Sequence, residues 1–154
     1  MFKLYIEKIS SPRDAHDAGR KLVLKIAEEK LGYIPEILIG ENGKPYINGL
    51  HFNISHSHNL VVCAFSDREV GVDVEKVRDY PARVSKLFHP EEISRLEASE
   101  DKNLEFFKIW TGKEAYLKCI GTGITKNLSS FNVFTLPNMH VESRDGYVIS
   151  VCVK

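Results

Sequence analysis

The sequence has no excess of charge of either sign, because 21 lysines and arginines balance 21 aspartates and glutamates. A balanced charge gives no broad positive field of the kind that attracts nucleic acid, so we expect no nucleic-acid partner. The chain also has no apolar run long enough to cross a membrane, and residues 1–7 lack the apolar core of a secretory signal. We therefore expect no membrane partner either.

Cysteine is scarce, and low-complexity tracts and Gly/Ser-rich linkers are missing. Cys63, Cys119 and Cys152 are odd in number and lie in apolar surroundings, which argues against a disulfide or zinc framework. They are typical of buried thiols in a reduced, cytoplasmic protein. A chain of 154 residues is long enough to bury a core, so we predict a single compact domain over 1–154.

Residues 70–75 alternate with the period of two that a half-buried strand requires. Three valines would face the core, and Gly71, Asp73 and Glu75 would face the other side. With about 3.3 Å of rise per residue, the two carboxylates lie roughly 7 Å apart. They repel each other unless a cation or hydrogen-bond donors lie between them, and Gly71 would leave that face open. A solvated outer face of an edge strand is the alternative interpretation.

A second pattern predicts a helix over about 104–120, with an apolar stripe that has Lys113 in its middle. Glu114 and Lys118 are four residues apart and neighbour each other along the edge of this stripe. A lysine that faces a core is costly unless it reaches solvent or meets an anion. One interpretation is a lysine that reaches solvent beside a surface ion pair. The other is a hard cation, held by the carboxylates of strand and helix, that binds a phosphorylated ligand.

The remaining patterns predict the coarse fold. Strands are expected at 2–9, 36–40, 60–65, 131–136 and 147–153, and helices at 14–31, 82–87 and 90–98. Residues 66–69 indicate a hairpin turn before the strand at 70, and the polar cluster at 53–59 is typical of a turn. Gly121 and Gly123 would end the long helix. These elements predict an α+β fold with mostly antiparallel pairing.

Four short motifs follow one another in a specific order. They are Gly-Lys-Pro at 43–45, Phe-Asn-Ile-Ser-His-Ser at 52–57, Gly-Val-Asp-Val-Glu at 71–75, and Trp-Thr-Gly-Lys-Glu-Ala-Tyr-Leu-Lys at 110–118 with Gly-Thr-Gly at 121–123. Each is weak alone, but their order and spacing together are highly specific. From about residue 13 to residue 151 the chain resembles the Sfp-type branch of the 4′-phosphopantetheinyl transferases.

The resemblance implies two similar half-domains, about 1–69 and 70–154, related by a pseudo-twofold axis with a ligand cleft between them. It also implies transfer of 4′-phosphopantetheine from coenzyme A to a serine of an apo acyl or peptidyl carrier protein, with release of adenosine 3′,5′-bisphosphate. Both half-patterns are present in one chain, so we expect a monomer.

The resemblance also implies roles for individual residues. Asp73, Glu75 and Glu114 would hold Mg²⁺, or Mn²⁺ in its place. Glu114 would also be the general base, and Lys118 would bind the pyrophosphate or assist the leaving oxygen. Lys113 would act like Lys118 or would only pack.

The coenzyme site would include Asp73, Lys113 and Lys118 together with residues from the first half of the chain. Ser55 and His56 would contact coenzyme A, with His56 at the 3′-phosphate, although these polar residues also suit a turn. Lys44 would line the site, although the bare sequence indicates an exposed loop lysine. The basic residues that the family often carries near its N-terminus would be represented by Arg13, with Arg20 or Lys21 behind it.

Two departures and two alternatives remain. Gly112 stands where the family usually has a side chain, which predicts a looser helix, and the segment before residue 14 is short. One alternative is a non-catalytic, carrier-binding homologue. The other is a different Mg²⁺-dependent enzyme that acts on a nucleotide pyrophosphate. The sequence leaves open which carrier is modified and whether acylated coenzyme A is accepted.

Overall fold

The computed structural model describes residues 1–123 and 127–154. Its helices are α1 (Ala15–Leu31), α2 (Ala82–Ser85), α3 (Pro90–Ala98) and α4 (Lys102–Ile120). Its strands are β1 (Phe2–Lys8), β2 (Leu38–Ile39), β3 (Pro45–Tyr46), β4 (His51–Ser57), β5 (Leu60–Ser66), β6 (Val70–Lys76), β7 (Met139–Arg144) and β8 (Tyr147–Val153). Single 3₁₀ turns lie at Pro12–Asp14, Leu128–Ser130 and Val133–Thr135. Within these two ranges no helix has the length and apolar character that crossing a membrane requires.

Six of the strands form two three-stranded antiparallel sheets. The first sheet has the order β1-β5-β4, and the second has the order β6-β8-β7. Tyr5 pairs with Cys63 in the first sheet, and Asp73 pairs with Ser150 in the second. Strands β2 and β3 form a separate two-stranded ribbon. The predicted α+β class with mostly antiparallel pairing is confirmed.

The main core lies between the two sheets, where alternate side chains of β5, β6 and β8 are buried together. They are Leu60, Val62, Ala64, Val70, Val72, Val74, Ile149, Val151 and Val153. The other face of the first sheet is covered by α1, with Val23 and Ile26 packed against Cys63 and Phe65. Helix α4 covers the other face of the second sheet, where Ala115 and Cys119 contact Cys152. The prediction that the valines of β6 face the core is therefore confirmed.

Both long helices end at a glycine in the left-handed conformation. Gly32 (φ +78°) follows α1, and its N–H donates to Glu28 O at 2.8 Å. Gly121 (φ +73°) follows α4, and its N–H donates to Leu117 O at 3.0 Å. Glycine adopts this conformation without the steric penalty of a Cβ atom, so the sequence marks both ends correctly.

Several predicted elements are confirmed within a residue or two, namely α1, α3, α4, β1, β5, β6 and β8. The strand expected at 36–40 is reduced to Leu38–Ile39, and the helix expected at 82–87 ends at Ser85.

Three local predictions are wrong. The polar cluster assigned to a turn forms strand β4 through residue 57, because its polar side chains have partners on the second sheet. The strand expected at 131–136 is instead a 3₁₀ turn, since Asn132 Oδ1 accepts from Phe134 N at 3.1 Å. Residues 66–69 are not a hairpin turn, because β5 and β6 belong to different sheets.

Candidate functional site

Asp73 lies in the middle of β6 and is nearly buried, with 6% of its surface exposed. Its Oδ1 atom accepts from Lys118 Nζ at 2.7 Å and from Ser55 Oγ at 3.0 Å. Its other oxygen, Oδ2, is buried and has no hydrogen-bond partner among the described residues. One carboxylate oxygen is therefore fixed, while the other is buried with its hydrogen-bonding capacity unsatisfied.

Gly71 brings α4 into contact with β6. A Cβ atom at this position would lie 2.0 Å from Ala115 O and 2.4 Å from Cys119 N. The expectation that Gly71 leaves its strand face open is therefore wrong, because the backbone of α4 occupies that space. The close approach places Glu114 and Lys118, which flank the contact on α4, beside Asp73.

Lys118 connects α4 to β6 with two hydrogen bonds and to β4 with a third. Besides the contact with Asp73, its Nζ donates to Val72 O at 3.1 Å and to Ser55 Oγ at 3.4 Å. About a third of its side chain remains exposed, at 31%. The cation is thus held at a fixed point and can still meet an anion in the cleft.

Glu114 supplies a second unpartnered oxygen. Its Oε1 is buried without a hydrogen-bond partner in the part of the chain that the structure describes. Burial raises the pKa of Glu114, the negative charge of Asp73 raises it further, and Lys118 opposes both. Burial also raises the pKa of Asp73, against the opposing effect of Lys118. A bound proton or cation would stabilise these two neighbouring carboxylates, because it reduces their repulsion and satisfies their free oxygens.

Glu75, the third predicted metal ligand, is held differently. Its Oε2 atom accepts from Arg78 Nη1 at 2.9 Å and from Ser57 Oγ at 3.2 Å. In residues 1–123 and 127–154 no three histidine, cysteine, aspartate or glutamate side chains are grouped closely enough to hold a metal ion. Asp73 and Glu114 nevertheless fit a hard divalent cation, because each presents a buried, unpartnered carboxylate oxygen.

Glu114 and Lys118 lie in a cleft that both halves of the chain line, and Asp73 adjoins it through its contact with Lys118. A first cavity of about 250 Å³ is lined by Asn42, Gly43, Lys44, Pro45, Asn53, Ile54, Glu114, Leu117, Lys118, Gly121 and Gly123. Gly121 and Gly123 thus border the same cavity as Glu114 and Lys118.

A second, basic cavity adjoins the first, with which it shares Gly43, Pro45 and Ile54. His16 and Arg20 from α1 and His56 from β4 line it. His56 was predicted at the 3′-phosphate and lies in this cavity.

The structure does not place Arg13 at either cavity, although it was the predicted N-terminal basic residue of the coenzyme site. Arg13 is exposed in the 3₁₀ turn before α1 and is not among the residues that line either cavity. Arg20, which was placed behind it, lines the second cavity instead. The helical turn explains this, because Arg20 shares a face of α1 with His16, four residues earlier.

Lys44 reaches from the first half of the chain to the second. Its Nζ donates to Lys118 O at 3.1 Å and to Val70 O at 3.3 Å, and it pairs with Glu69 at 3.4 Å. The neighbouring Asn42 Nδ2 donates to Gly121 O at 2.7 Å. This loop therefore binds the last carbonyls of α4, in addition to lining the cavity where the prediction placed Lys44.

Lys113 lies away from the cleft. Its side chain is fully buried and pairs with the equally buried Glu92 at 2.7 Å. Its Nζ also donates to Leu128 O at 2.7 Å and to Phe131 O at 2.9 Å. The prediction that Lys113 binds coenzyme A is corrected here, since its ammonium is enclosed by protein and only the packing role remains.

Ser55 also has a different role from the predicted one. Its side chain is largely buried, and its hydroxyl is engaged by Asp73, Val74 N and Lys118. Sequence reasoning missed two further residues of the same strand, Asn53 and Ser57. The signal was present, because Phe52 and Ile54 alternate with the polar residues at the period of a strand.

Known proteins resemble this chain over most of its length. The family model of the 4′-phosphopantetheinyl transferase superfamily matches residues 69–152. A 4′-phosphopantetheinyl transferase of Bacillus subtilis is 36% identical over 147 residues, which cover 87% of this chain and 66% of that protein. The transferase Sfp of B. subtilis strain 168 is 35% identical over an alignment that covers 73% of this chain and 60% of Sfp. HetI of a Nostoc species is 38% identical, and its alignment covers 71% of this chain and 52% of HetI.

The holo-[acyl-carrier-protein] synthase of Thermotoga maritima aligns with 54% of this chain and 60% of its own, at 18% identity and a TM-score of 0.45. The present chain spans about two thirds or less of the length of the curated relatives above. The family model covers more than half of the chain, and the relatives match most of it. The chain therefore belongs to the 4′-phosphopantetheinyl transferase superfamily and is related to its Sfp-type members.

Proposed function

We propose that the protein transfers 4′-phosphopantetheine from coenzyme A to a serine of an apo acyl or peptidyl carrier protein. The observation that carries this proposal is the convergence of Glu114 and Lys118 in a cleft lined by both halves of the chain, with Asp73 bound to Lys118 beside it. Relatives that are 36%, 40% and 35% identical to this chain over the aligned residues are named 4′-phosphopantetheinyl transferases.

In the proposed reaction, the carrier serine oxygen attacks the β-phosphorus of coenzyme A. A new O–P bond forms, the pyrophosphate P–O bond breaks, and adenosine 3′,5′-bisphosphate leaves. Glu114 is the base that takes the serine proton, and its raised pKa brings a carboxylate closer to the basicity that this task needs. Lys118 stabilises the negative charge of the pyrophosphate. Positioning and charge stabilisation supply most of the catalysis in phosphoryl transfer.

Mg²⁺ or Mn²⁺ would be held by Asp73 Oδ2 and Glu114 Oε1, the two unpartnered oxygens. When bound, such a cation neutralises charge on phosphate oxygens. Glu75 is included among the ligands as predicted, although the present contact of its Oε2 with Arg78 would have to be shared or exchanged.

The anionic adenosine end of coenzyme A suits the second cavity, where His16, Arg20 and His56 are collected. Lys44 lines the first cavity between two residues that both cavities share, and its Nζ would exchange one of its three present acceptors for a phosphate oxygen. Ser55 would influence the coenzyme through Asp73 and Lys118, both of which it contacts.

We also propose that the chain acts as a cytoplasmic monomer with half-domains at about 1–69 and 70–154. Residues of both half-domains line one cleft within one subunit, which supports the monomer. Cys63, Cys119 and Cys152 are buried free thiols, which supports a reducing compartment.

Incubation with coenzyme A, Mg²⁺ and apo carriers of the fatty-acid, polyketide and peptide-synthetase types, followed by intact mass measurement, tests the proposal. We expect a mass gain of one phosphopantetheine on at least one carrier. Glu114→Gln should slow this gain about a hundredfold, while Glu97→Gln on an exposed face of α3 serves as the matched control.

Two outcomes would contradict the proposal. Metal-dependent cleavage of coenzyme A without a carrier would favour the nucleotide pyrophosphate enzyme. Tight carrier binding with no mass gain on any carrier would favour the non-catalytic homologue.

A further inference from the structure

Strand β6 has β8 as its neighbour on one edge, and side chains of β4 follow its other edge. On that second edge three backbone N–H groups point away from β8. Val72 N donates to Asn53 Oδ1 at 2.9 Å, Val74 N to Ser55 Oγ at 3.3 Å, and Lys76 N to Ser57 Oγ at 3.1 Å. Every second residue of β4 thus supplies one acceptor to every second residue of β6.

The carbonyl groups of the same edge are bound by cations. Val70 O accepts from Lys44 Nζ at 3.3 Å, and Val72 O accepts from Lys118 Nζ at 3.1 Å. Backbone groups at an edge strand need partners, and here side chains supply them in place of a backbone ladder. We call the contacts of Asn53, Ser55 and Ser57 with β6 the side-chain ladder.

The two serines of the ladder also contact the acidic residues of β6. Ser55 Oγ donates to Asp73 Oδ1 at 3.0 Å, and Ser57 Oγ donates to Glu75 Oε2 at 3.2 Å. A hydroxyl has one proton and two lone pairs. The Oγ atom of Ser55 accepts hydrogen bonds from Val74 N and Lys118 Nζ. The Oγ atom of Ser57 accepts one from Lys76 N and contacts His58 Nδ1 at 3.3 Å. Both hydroxyls are therefore fully used within the protein.

We propose that the side-chain ladder positions the acidic strand of the site, with Ser57 as the positioning residue of Glu75 and Ser55 as that of Asp73. This inference rests on the proposed function for its catalytic consequence. A slip of one residue between β4 and β6 would displace each carboxylate by about 3.3 Å relative to the first half of the chain. The ladder opposes that slip, because three acceptors would lose their donors together.

Ser57 is the better residue for a test, because Ser55 also contacts Lys118. Ser57→Ala removes the hydroxyl, Ser57→Thr restores it, and Ser143→Ala on the exposed part of β7 is the matched control. Each variant is compared for steady-state transfer, for Mn²⁺ affinity by calorimetry, and for hydrogen exchange of the Lys76 amide. Thermal melting confirms that each variant is folded.

For Ser57→Ala we expect kcat to fall about tenfold while KM for coenzyme A stays within about twofold, since orientation is lost and coenzyme binding is kept. Mn²⁺ affinity should fall several-fold, and the Lys76 amide should exchange at least about tenfold faster while amides of β8 keep their rates. Ser57→Thr should recover most of each value. If Ser57 only stabilised the fold, Ser57→Ala would lower the Tm without a selective loss of kcat over KM and without selective exchange of the Lys76 amide.

The proposal is overturned if Ser57→Ala matches Ser143→Ala in transfer, Mn²⁺ affinity and Lys76 exchange. Equal loss in the Ala and Thr variants would also overturn it, since the hydroxyl would then not matter. If the wild-type protein transfers nothing, the proposed function fails, and the exchange and Mn²⁺ comparisons still decide whether the ladder positions β6.

Discussion

Replacement of Gly71 by alanine should separate α4 from β6 and disable the site. The added Cβ would lie 2.0 Å from Ala115 O and 2.4 Å from Cys119 N, and both of these atoms belong to the helix backbone. Ordinary contact begins near 3.4 Å, so the helix must withdraw by about 1.4 Å. A backbone cannot turn aside as a side chain can.

The expected magnitude follows from this distance. Overpacking of a core costs about 1–3 kcal/mol or more, and we place Gly71→Ala at about 3 kcal/mol because the helix must move as a unit. For a chain of this size that corresponds to a fall in Tm of roughly 6–12 °C. The Lys118 to Asp73 contact, now 2.7 Å, would open to about 4 Å. A misplacement of about 1 Å can lower turnover by about a hundredfold.

Gly112→Ala is the matched control, because it adds the same methyl group to α4. Its Cβ would meet the Val133 side chain at 3.2 Å, and that side chain can shift by a few tenths of an ångström. Alanine also favours a helix by about 1 kcal/mol over glycine, so this variant should melt within about 3 °C of the wild type. Differential scanning calorimetry and steady-state transfer measure both variants. A Gly71→Ala protein with wild-type Tm and near-normal turnover would refute the reasoning.

Three further perturbations test other parts of the site. Glu114→Gln should lower turnover by about a hundredfold without lowering Tm at pH 7, because the raised pKa of Glu114 means that its ionised form destabilises the folded state. The Tm of the wild type relative to that of this variant should therefore fall as pH rises through the pKa of Glu114. Thermal melts from pH 4 to 8 measure this difference, and a relative Tm that rises with pH would contradict the raised pKa. Arg20→Gln should weaken coenzyme A binding about tenfold by calorimetry, because a charge-assisted phosphate contact is lost; Arg13→Gln should change it less than twofold, and equal effects would refute the placement. Lys113→Met should cost about 3–5 kcal/mol in urea unfolding, because it leaves Glu92 buried without its cation; a loss below about 1 kcal/mol would contradict the importance of this pair.

The sequence predicted the parts of the site whose patterns are local. The alternation in β6 and the helical spacing in α4 are strong periodic signals, and both elements form where expected. The order of the motifs also brought Asp73 and Lys118 into one prediction, and the structure joins them at 2.7 Å. Local periodicity could not show how closely β6 and α4 approach each other. Gly71 was therefore predicted to leave its strand face open, whereas the backbone of α4 packs directly against it.

The parts that were missed depend on partners distant in sequence. The polar residues of β4 were assigned to a turn, although their alternation with Phe52 and Ile54 fits a strand, because nothing local shows that their side chains bind a facing strand edge. Lys113 had two interpretations for the same reason. Its partner Glu92 lies on α3, outside the spacing of any helical pair on α4.

The pairing of β6 with β8 has a consequence for the timing of synthesis. Val70 lies opposite Val153, and Lys76 opposite Tyr147, so the acidic strand is made long before its backbone partner. At about 5–20 residues per second, a ribosome needs roughly 4–14 s to add the intervening part of the chain. By then the three strands of the first sheet have been synthesised, since β1, β4 and β5 all precede β6. In the nascent chain, β6 can therefore contact β4 before β8 is available to pair with it.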